Sequence, residues 1–266
     1  MDWAAPLVGF VVGVVVGLTS TGGGALLTPA LVFVLGVPAA AAVGTDVFVA
    51  AVMKLFGGGA YALRGRVHWP TVLRLAAGSI PGAAIGLWLL KLMPPEALDQ
   101  VLRRGLGLAL LLAGGATLAR LFARPSGAPR SSLGLRLALP LGFVVGVLVA
   151  TTSVGSGSLL MAVLAPLSPL AASTLVGTDL AHALVLSSAA TVGHVTAGRV
   201  DFALAGALLL GAVPGVVIAA RLAQALPERA LRASLAVLLI GIGLVLAGGF
   251  ASHAPTAAAQ TKGAAA

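Results

Sequence analysis

The sequence predicts an all-α membrane protein that crosses the bilayer several times and consists of two homologous halves. Of its 266 residues, 59% are hydrophobic and 9% are charged, and the mean hydropathy is +1.10. Soluble domains contain about 25% charged residues. Apolar stretches long enough to cross a hydrocarbon core of about 30 Å recur along the chain. Residues 9–95 and 142–228 align without a gap at an offset of 133, with about 30 identical positions.

The duplication divides the chain into four segments. We expect a first transmembrane repeat at 1–122, a linker at 123–137, a second transmembrane repeat at 138–250 and a disordered tail at 251–266. The linker contains proline, glycine, serine and several arginines but no acidic residue, which is typical of a cytoplasmic loop. The tail is polar and rich in alanine, and such segments bury too little apolar surface to fold.

Each half opens with an apolar stretch that is interrupted by small polar residues. Residues 4–37 contain a Thr/Ser/Gly run at 19–24. As one helix this stretch would be roughly 50 Å long, which is more than a bilayer requires. We therefore expect two short helices that meet at a glycine-rich break inside the membrane. The same arrangement is expected at 138–151 and 158–171.

Three uninterrupted spans follow the broken pair in each half, so ten helices are expected in total. The spans lie at 39–63, 71–90, 105–122, 174–197, 202–220 and 231–250.

The basic residues favour inverted over parallel halves. If each break forms a hairpin, each half crosses the membrane an odd number of times and the halves are inverted. With the linker inside, nine basic residues are then cytoplasmic and five lie outside. Parallel halves would place eight inside and six outside. Cytoplasmic loops carry an excess of lysine and arginine, so the inverted arrangement fits better.

The two breaks are the candidate substrate site. A helix that begins inside the membrane leaves about four N–H groups unpaired and carries a partial positive charge. Lipid cannot satisfy these donors, whereas an anion can, and glycine allows its close approach. The alternative is that these glycines serve only helix packing. The expected anion-binding residues are Thr19, Ser20, Gly22, Gly23, Gly24, Thr152, Ser153, Gly155 and Gly157.

Two aspartates stand at equivalent positions of the halves, each in a Gly-Thr-Asp motif. Asp46 and Asp179 are the only acidic residues within the expected uninterrupted spans. A carboxylate at this depth is costly and is therefore a functional candidate. We expect the pair to carry coupling protons or to hold the broken helices. Coordination of a cation and capping of the aspartate's own helix remain alternatives.

One lysine and two histidines complete the buried polar set. Lys54 lies two turns beyond the first aspartate and should pair with it or attract an anionic substrate. Its equivalent in the second half is Ser187. His182 shares a helix face with the second aspartate and either joins a proton relay or is an ordinary buried histidine. His194 lies near a helix end, where an interfacial position is expected.

In order and spacing, these motifs resemble the sulfite exporter TauE/SafE family over roughly residues 8–248. The resemblance implies a multi-pass inner-membrane transporter of small sulfur-containing anions or organic acids. The family often has serine after Gly-Thr, where this chain has aspartate. The second half also has Ser156 in place of Gly23 and Ala162 in place of Pro29. The matching residues are the run Gly-x3-Gly-Leu-Thr-Ser-Thr-Gly-Gly-Gly, Pro29, Gly36-x-Pro38, Gly44-Thr45-Asp46 and Gly65-x-Val67-x-Trp69.

The predicted function is secondary transport of a small anion, coupled to an ion or proton gradient. The substrate would be a sulfur oxyanion, an organosulfonate or a small organic acid. A passive anion channel, an intramembrane enzyme and a structural or assembly role are the alternatives. The Gly-x4-Gly-Lys-Ser/Thr loop of ATPases is absent, so ATP is not the expected driver. We expect the lipid bilayer as partner and no cofactor, metal, catalytic residue or nucleic acid, and a homo-oligomer remains open.

Overall fold

The computed structural model describes residues 3–19, 24–122, 134–168, 170–222 and 228–248, and the regular structure in these residues is entirely helical. Part of the first break, most of the linker and the tail lie outside the described residues. The helices are α1 (Ala4–Thr19), α2 (Gly24–Phe33), α3 (Ala39–Leu63), α4 (Trp69–Leu92), α5 (Pro95–Phe122), α6 (Leu135–Thr152), α7 (Ser158–Leu167), α8 (Ala172–Thr196), α9 (Phe202–Leu222) and α10 (Glu228–Ala247).

Six of these helices are long and apolar enough to cross a membrane by length and composition, namely α3, α4, α5, α6, α8 and α9. The helices α2 and α7 have ten residues each, or about 15 Å, which reaches only halfway across a hydrocarbon core. The expectation of a multi-pass, all-helical membrane protein is therefore confirmed.

Several helix boundaries differ from the expected ones; α7, for example, ends at Leu167 and not at 171. The helix α5 begins at Pro95, ten residues before the expected start of the span at 105. Its first turns are polar but favourable for a helix, with proline and Glu96 at the N-terminus and an ion pair between Arg103 Nε and Asp99 Oδ2 at 2.6 Å. The helix α6 begins at Leu135, within the range that was assigned to the linker.

Glycines bring two pairs of helices into backbone contact. Gly78 of α4 lies against the backbone of Leu139 in α6. One turn further along both helices, Gly82 lies against Phe143, so α4 and α6 run in the same direction. The pair formed by α1 and α9 packs in the same way. Backbones can approach this closely only where there is no side chain between them.

The long helices α3 and α8 cross in opposite directions. Lys54 of α3 bonds to Ser187 of α8. Further along α3, Gly58 lies against Leu180, which is earlier in α8. Contacts that advance along one helix and recede along the other define an antiparallel pair.

The helices α6 and α8 run in the same direction, because α4 is parallel to both. Ser79 of α4 bonds to His182 of α8 at 2.9 Å. Two turns further, Leu87 of α4 lies against Gly193 of α8. The short helix α7 between α6 and α8 must therefore lead the chain back, as expected for a re-entrant pair. In the first half, the chain reverses direction between α2 and α3, so that Thr28 of α2 bonds to Asp46 of α3.

Equivalent residues of the two halves make reciprocal contacts. The backbone N–H of Asp201 donates to Thr45 Oγ1 at 3.1 Å, and that of His68 donates to Thr178 Oγ1 at 2.9 Å. These four residues are two pairs separated by 133. The threonine of each Gly-Thr-Asp motif thus anchors the turn that precedes a helix of the other half.

Candidate functional site

Gly24, the last residue of the first break, lies against the second break. A Cβ on Gly24, the first residue of α2, would overlap the backbone and side chain of Ser153, which ends α6. The structure therefore brings together two expected site residues that are 129 positions apart in sequence. Ser20, Gly22 and Gly23 lie outside the described residues, as does the side chain of Thr19.

The second break owes its shape to residues in the left-handed region. Ser153 has φ 61°, and Gly155 and Gly157 have φ 129° and 100°. Side chains disfavour such angles, so the glycines are required by the conformation itself. Ser153 is the only non-glycine residue with positive φ in the described chain, and a residue held in this way is a functional candidate.

Thr152 stabilises this break from within. Its hydroxyl donates to the carbonyl of Leu148 at 2.6 Å and accepts from the N–H of Val154 at 3.2 Å. The hydroxyl proton expected to contact an anion is therefore committed to the backbone, and Thr152 could assist a ligand only by breaking this bond.

Asp46 is fully buried and acts on a neighbouring helix rather than on its own. As the eighth residue of α3, it is too far from the N-terminus to cap it. Instead Oδ2 accepts from the backbone N–H of Thr28 in α2 at 3.0 Å and from the Thr28 hydroxyl. The hydroxyl of Ser153 also interacts with this carboxyl group. Oδ1 has no hydrogen-bond partner among the described residues.

Asp179 is the eighth residue of α8 and is 3% exposed. Its surroundings are not a copy of those of Asp46, because Met161 occupies the position equivalent to Thr28. The second half therefore has no hydroxyl at the position equivalent to Thr28. Asp179 interacts electrostatically with Lys54.

Lys54 is 5% exposed and binds hydroxyl groups of the second half. Its Nζ donates to Ser156 Oγ at 2.9 Å and to Ser187 Oγ at 3.0 Å. Its charge interacts with Asp179 and with Asp46. The sequence predicted that Lys54 pairs with the first aspartate or attracts an anionic substrate, and the structure shows that it also bonds to the second half.

Both histidines of α8 are buried and bonded. His182 Nε2 bonds to Ser79 Oγ at 2.9 Å, and His194 Nε2 bonds to the carbonyl oxygen of Ala150 at 2.9 Å. The interfacial position expected for His194 is wrong, since it is 1% exposed. The reason is that α6 covers this end of α8. His194 thus supports α6 just before the second break.

The two Gly-Arg-Val sequences, at 65–67 and 198–200, lie in the turns that follow α3 and α8. Gly65 and Gly198 have φ 65° and 64°, which glycine adopts without steric cost. Arg199 Nη2 donates to the carbonyl of Leu90 at 3.2 Å. Burial lowers the pKa of the Arg199 guanidinium from its ordinary value.

Sequence reasoning missed two residues of this site and undervalued a third. Thr28 and Ser79 were missed because a hydroxyl on a helix gives no indication of its partner, which lies 18 residues away for Thr28 and 103 away for Ser79. Ser156 was noticed only as a departure from Gly23. Its pairing with Lys54 would have required knowing that α3 passes the second break.

Comparison with known proteins places these features in a family. A profile described as "Sulfite exporter TauE/SafE" matches residues 5–246. The chain is similar to "Probable membrane transporter protein YjnA" of Bacillus subtilis (strain 168), with 38% identity over 90% of this chain and 97% of the relative. It is also similar to "Probable membrane transporter protein YunE" of the same organism, with 29% identity over 36% of this chain and 35% of the relative. No solved structure matches the chain.

Proposed function

Because the chain belongs to the sulfite exporter TauE/SafE family, we propose that it is a secondary transporter that moves a small anion across the cell inner membrane. The substrate class is a sulfur oxyanion, an organosulfonate or a small organic acid. The transporter names of the relatives support transport rather than catalysis.

The anion binds where the two breaks meet. Helix α2 begins at Gly24, beside Ser153 at the end of α6. The start of a helix offers unpaired N–H groups and a partial positive charge, and a hydroxyl adds a donor. Ser20, Gly22, Gly23 and Thr19 complete this site from the first half, and Gly155 and Gly157 keep the second backbone open for close approach.

Protons accompany the anion, which follows from the charges around the site. Lys54 contributes one positive charge, and Asp46 and Asp179 contribute one negative charge each. With both carboxylates ionised the set is negative and repels an anion. Protonation of both would make it positive, so proton and anion would bind together. His182 lies close enough to interact with the lysine charge and serves as a relay.

The two halves form inverted repeats. The antiparallel crossing of α3 and α8, which are equivalent helices, supports this arrangement. So does the equally antiparallel pair α5 and α10, in which Gly107 faces Leu246 and Gly114 faces Ile240. Transporters built in this way bind substrate at the interface of their repeats.

The observation that carries the proposal is the contact of Gly24 and Ser153 beside the buried Asp46. It places a helix start, a hydroxyl and a titratable group at one point. A ligand that binds there should stabilise the folded protein in proportion to its occupancy.

We therefore expect one class of small anion to raise the melting temperature of the purified, detergent-solubilised protein. The panel contains sulfite, sulfate, thiosulfate, sulfonates, sulfoacetate and short carboxylates, each measured at an acidic and an alkaline pH. The increase in melting temperature should be larger at acidic pH. In Ser153→Ala the apparent affinity for the anion should fall at least tenfold, because a hydrogen bond to a charged group contributes about 1.5–3 kcal/mol.

Thr117→Val is the matched control, because the Thr117 hydroxyl is buried in α5 and donates only to the carbonyl of Ala113. It should leave anion binding unchanged. The absence of any anion effect, or equal effects of both substitutions on binding, would contradict the proposed site.

A further inference from the structure

Lys54 lies where the two halves meet and contacts the residue equivalent to itself. Its Nζ donates to Ser187 Oγ at 3.0 Å, across a separation of 133 residues. Each of the two is the sixteenth residue of a 25-residue helix. Equivalent residues can touch only at the axis that relates the halves. A single positive charge is therefore held on this axis, near the middle of both long helices.

The groups around this ammonium are those that would ligate an alkali cation. Two of its three N–H donors contact hydroxyl oxygens, those of Ser156 and Ser187. The carboxylates of Asp46 and Asp179 lie within electrostatic range. Hard cations prefer oxygen ligands of this kind. One oxygen of the fully buried Asp46 has no hydrogen-bond partner in the described part of the chain.

Among the described residues, His182 of α8 is a further titratable group whose charge would interact with that of the ammonium. Its Nε2 bonds to Ser79 of α4, which keeps the ring turned toward α4. The lysine supplies one positive charge beside the two carboxylates.

We infer that the ammonium of Lys54, bonded to two serine hydroxyls, takes the place of an alkali cation near the two aspartates. The wild-type protein then binds no sodium or potassium at this position. Replacement by serine, the residue of the second half, leaves the hydroxyl oxygens and the two carboxylates in place and removes the lysine charge. The inference deepens the coupling part of the proposed function and rests on it, since it leaves protons as the coupling ions.

The test is the melting temperature of purified Lys54→Ser in sodium, potassium, lithium or choline chloride at equal ionic strength, without any transported anion. We expect at least one alkali chloride to raise the melting temperature of the variant saturably, by about 5 °C over choline chloride. The wild-type protein should respond to all four salts alike.

Lys91→Ser is the matched control, because Lys91 is an exposed lysine near the end of α4. It should show no selectivity among the salts. A cation-selective shift in the wild-type protein, or none in folded Lys54→Ser, would overturn the inference.

If Lys54→Ser does not fold, charge balance is tested instead with Lys54→Met and the double variant Lys54→Met/Asp179→Asn. The double variant should recover the yield of folded protein that the single variant loses. An equal loss in both would overturn the inference. These measurements detect cation binding and folding, whereas the anion panel detects anion binding. A negative result here would therefore not contradict the proposed anion site, and a negative anion panel would not contradict the inference about Lys54.

Discussion

At the scale of single residues, the buried polar groups stabilise one another across helices. Asp46 accepts from Thr28 of α2, and Lys54 donates to serines of the other half. The bonds to Thr28 and Ser156 join the broken segments to α3, and the bond to Ser187 joins α3 to α8. Protonation of Asp46 would therefore change its hydrogen bonds to α2. In this way protonation could be linked to substrate binding.

Asp46→Asn should remove the pH dependence of transport while the protein still folds. Asparagine keeps a carbonyl oxygen that accepts from Thr28 but cannot exchange a proton in the cycle. Anion uptake into proteoliposomes, measured with and without a pH gradient, checks this expectation.

Thr28→Val is the companion variant, since it keeps Asp46 titratable but removes the hydroxyl bond. It should lower the free energy of unfolding by about 1–3 kcal/mol and retain the response to pH. If both variants keep that response, Asp46 holds α2 and does not carry the coupling proton.

At the scale of helices, the pairs α1 with α9 and α4 with α6 depend on close backbone approach. Gly211 of α9 lies against Pro6, and Gly78 of α4 lies against Leu139. The proline in the middle of α9 is followed directly by Gly215, which lies against Phe10. Helices α1 and α6 lead into the two breaks, so their packing against α9 and α4 helps to set where Gly24 and Ser153 meet.

Gly211→Ala should destabilise the protein by about 1–3 kcal/mol, because the new methyl group would overlap the backbone of α1. Gly78→Ala should have a similar effect, since it is the equivalent residue of the first half. Gly206→Ala in the same α9 is the control, as open space surrounds this position. It should be neutral or stabilising by up to about 1 kcal/mol. The stabilities of the three variants are compared by thermal unfolding in detergent. Equal effects of Gly206→Ala and Gly211→Ala would show that close backbone approach at Gly211 does not stabilise the protein.

At the scale of the whole molecule, the crossing of equivalent helices determines the relation of the halves. Because α3 and α8 are antiparallel, equivalent residues at their ends lie at opposite ends of the bundle. If the halves are inverted repeats, as proposed, the two sides of the membrane have related access routes to the proposed site.

Leu63→Cys and Thr196→Cys should react with a membrane-impermeant maleimide from opposite sides of the membrane. They are equivalent positions, both exposed, and the chain has no native cysteine. With the linker inside, Thr196→Cys should be labelled in intact cells and Leu63→Cys only after permeabilisation. Labelling of both from one side would instead support parallel halves.

The sequence by itself determined that this protein lies in a membrane and consists of helices that cross it several times. Hydropathy, the duplication and the two breaks predicted a multi-pass helical protein, and the span at 39–63 coincides with α3. These properties depend on local composition and on the length of apolar segments, which the order of residues records directly. The candidate aspartates and Lys54 were also apparent, since charge is rare in such segments.

Only the tertiary structure decided which of these groups meet. Asp46 could have capped its own helix, and His194 could have faced the interface, as judged from their positions in the sequence. Asp46 instead contacts Thr28 and Ser153, and Lys54 reaches Ser187, 133 residues away. A polar side chain in a dry interior must find a partner. Which partner it finds depends on how the helices cross, and crossing is set by packing between distant segments rather than by local pattern.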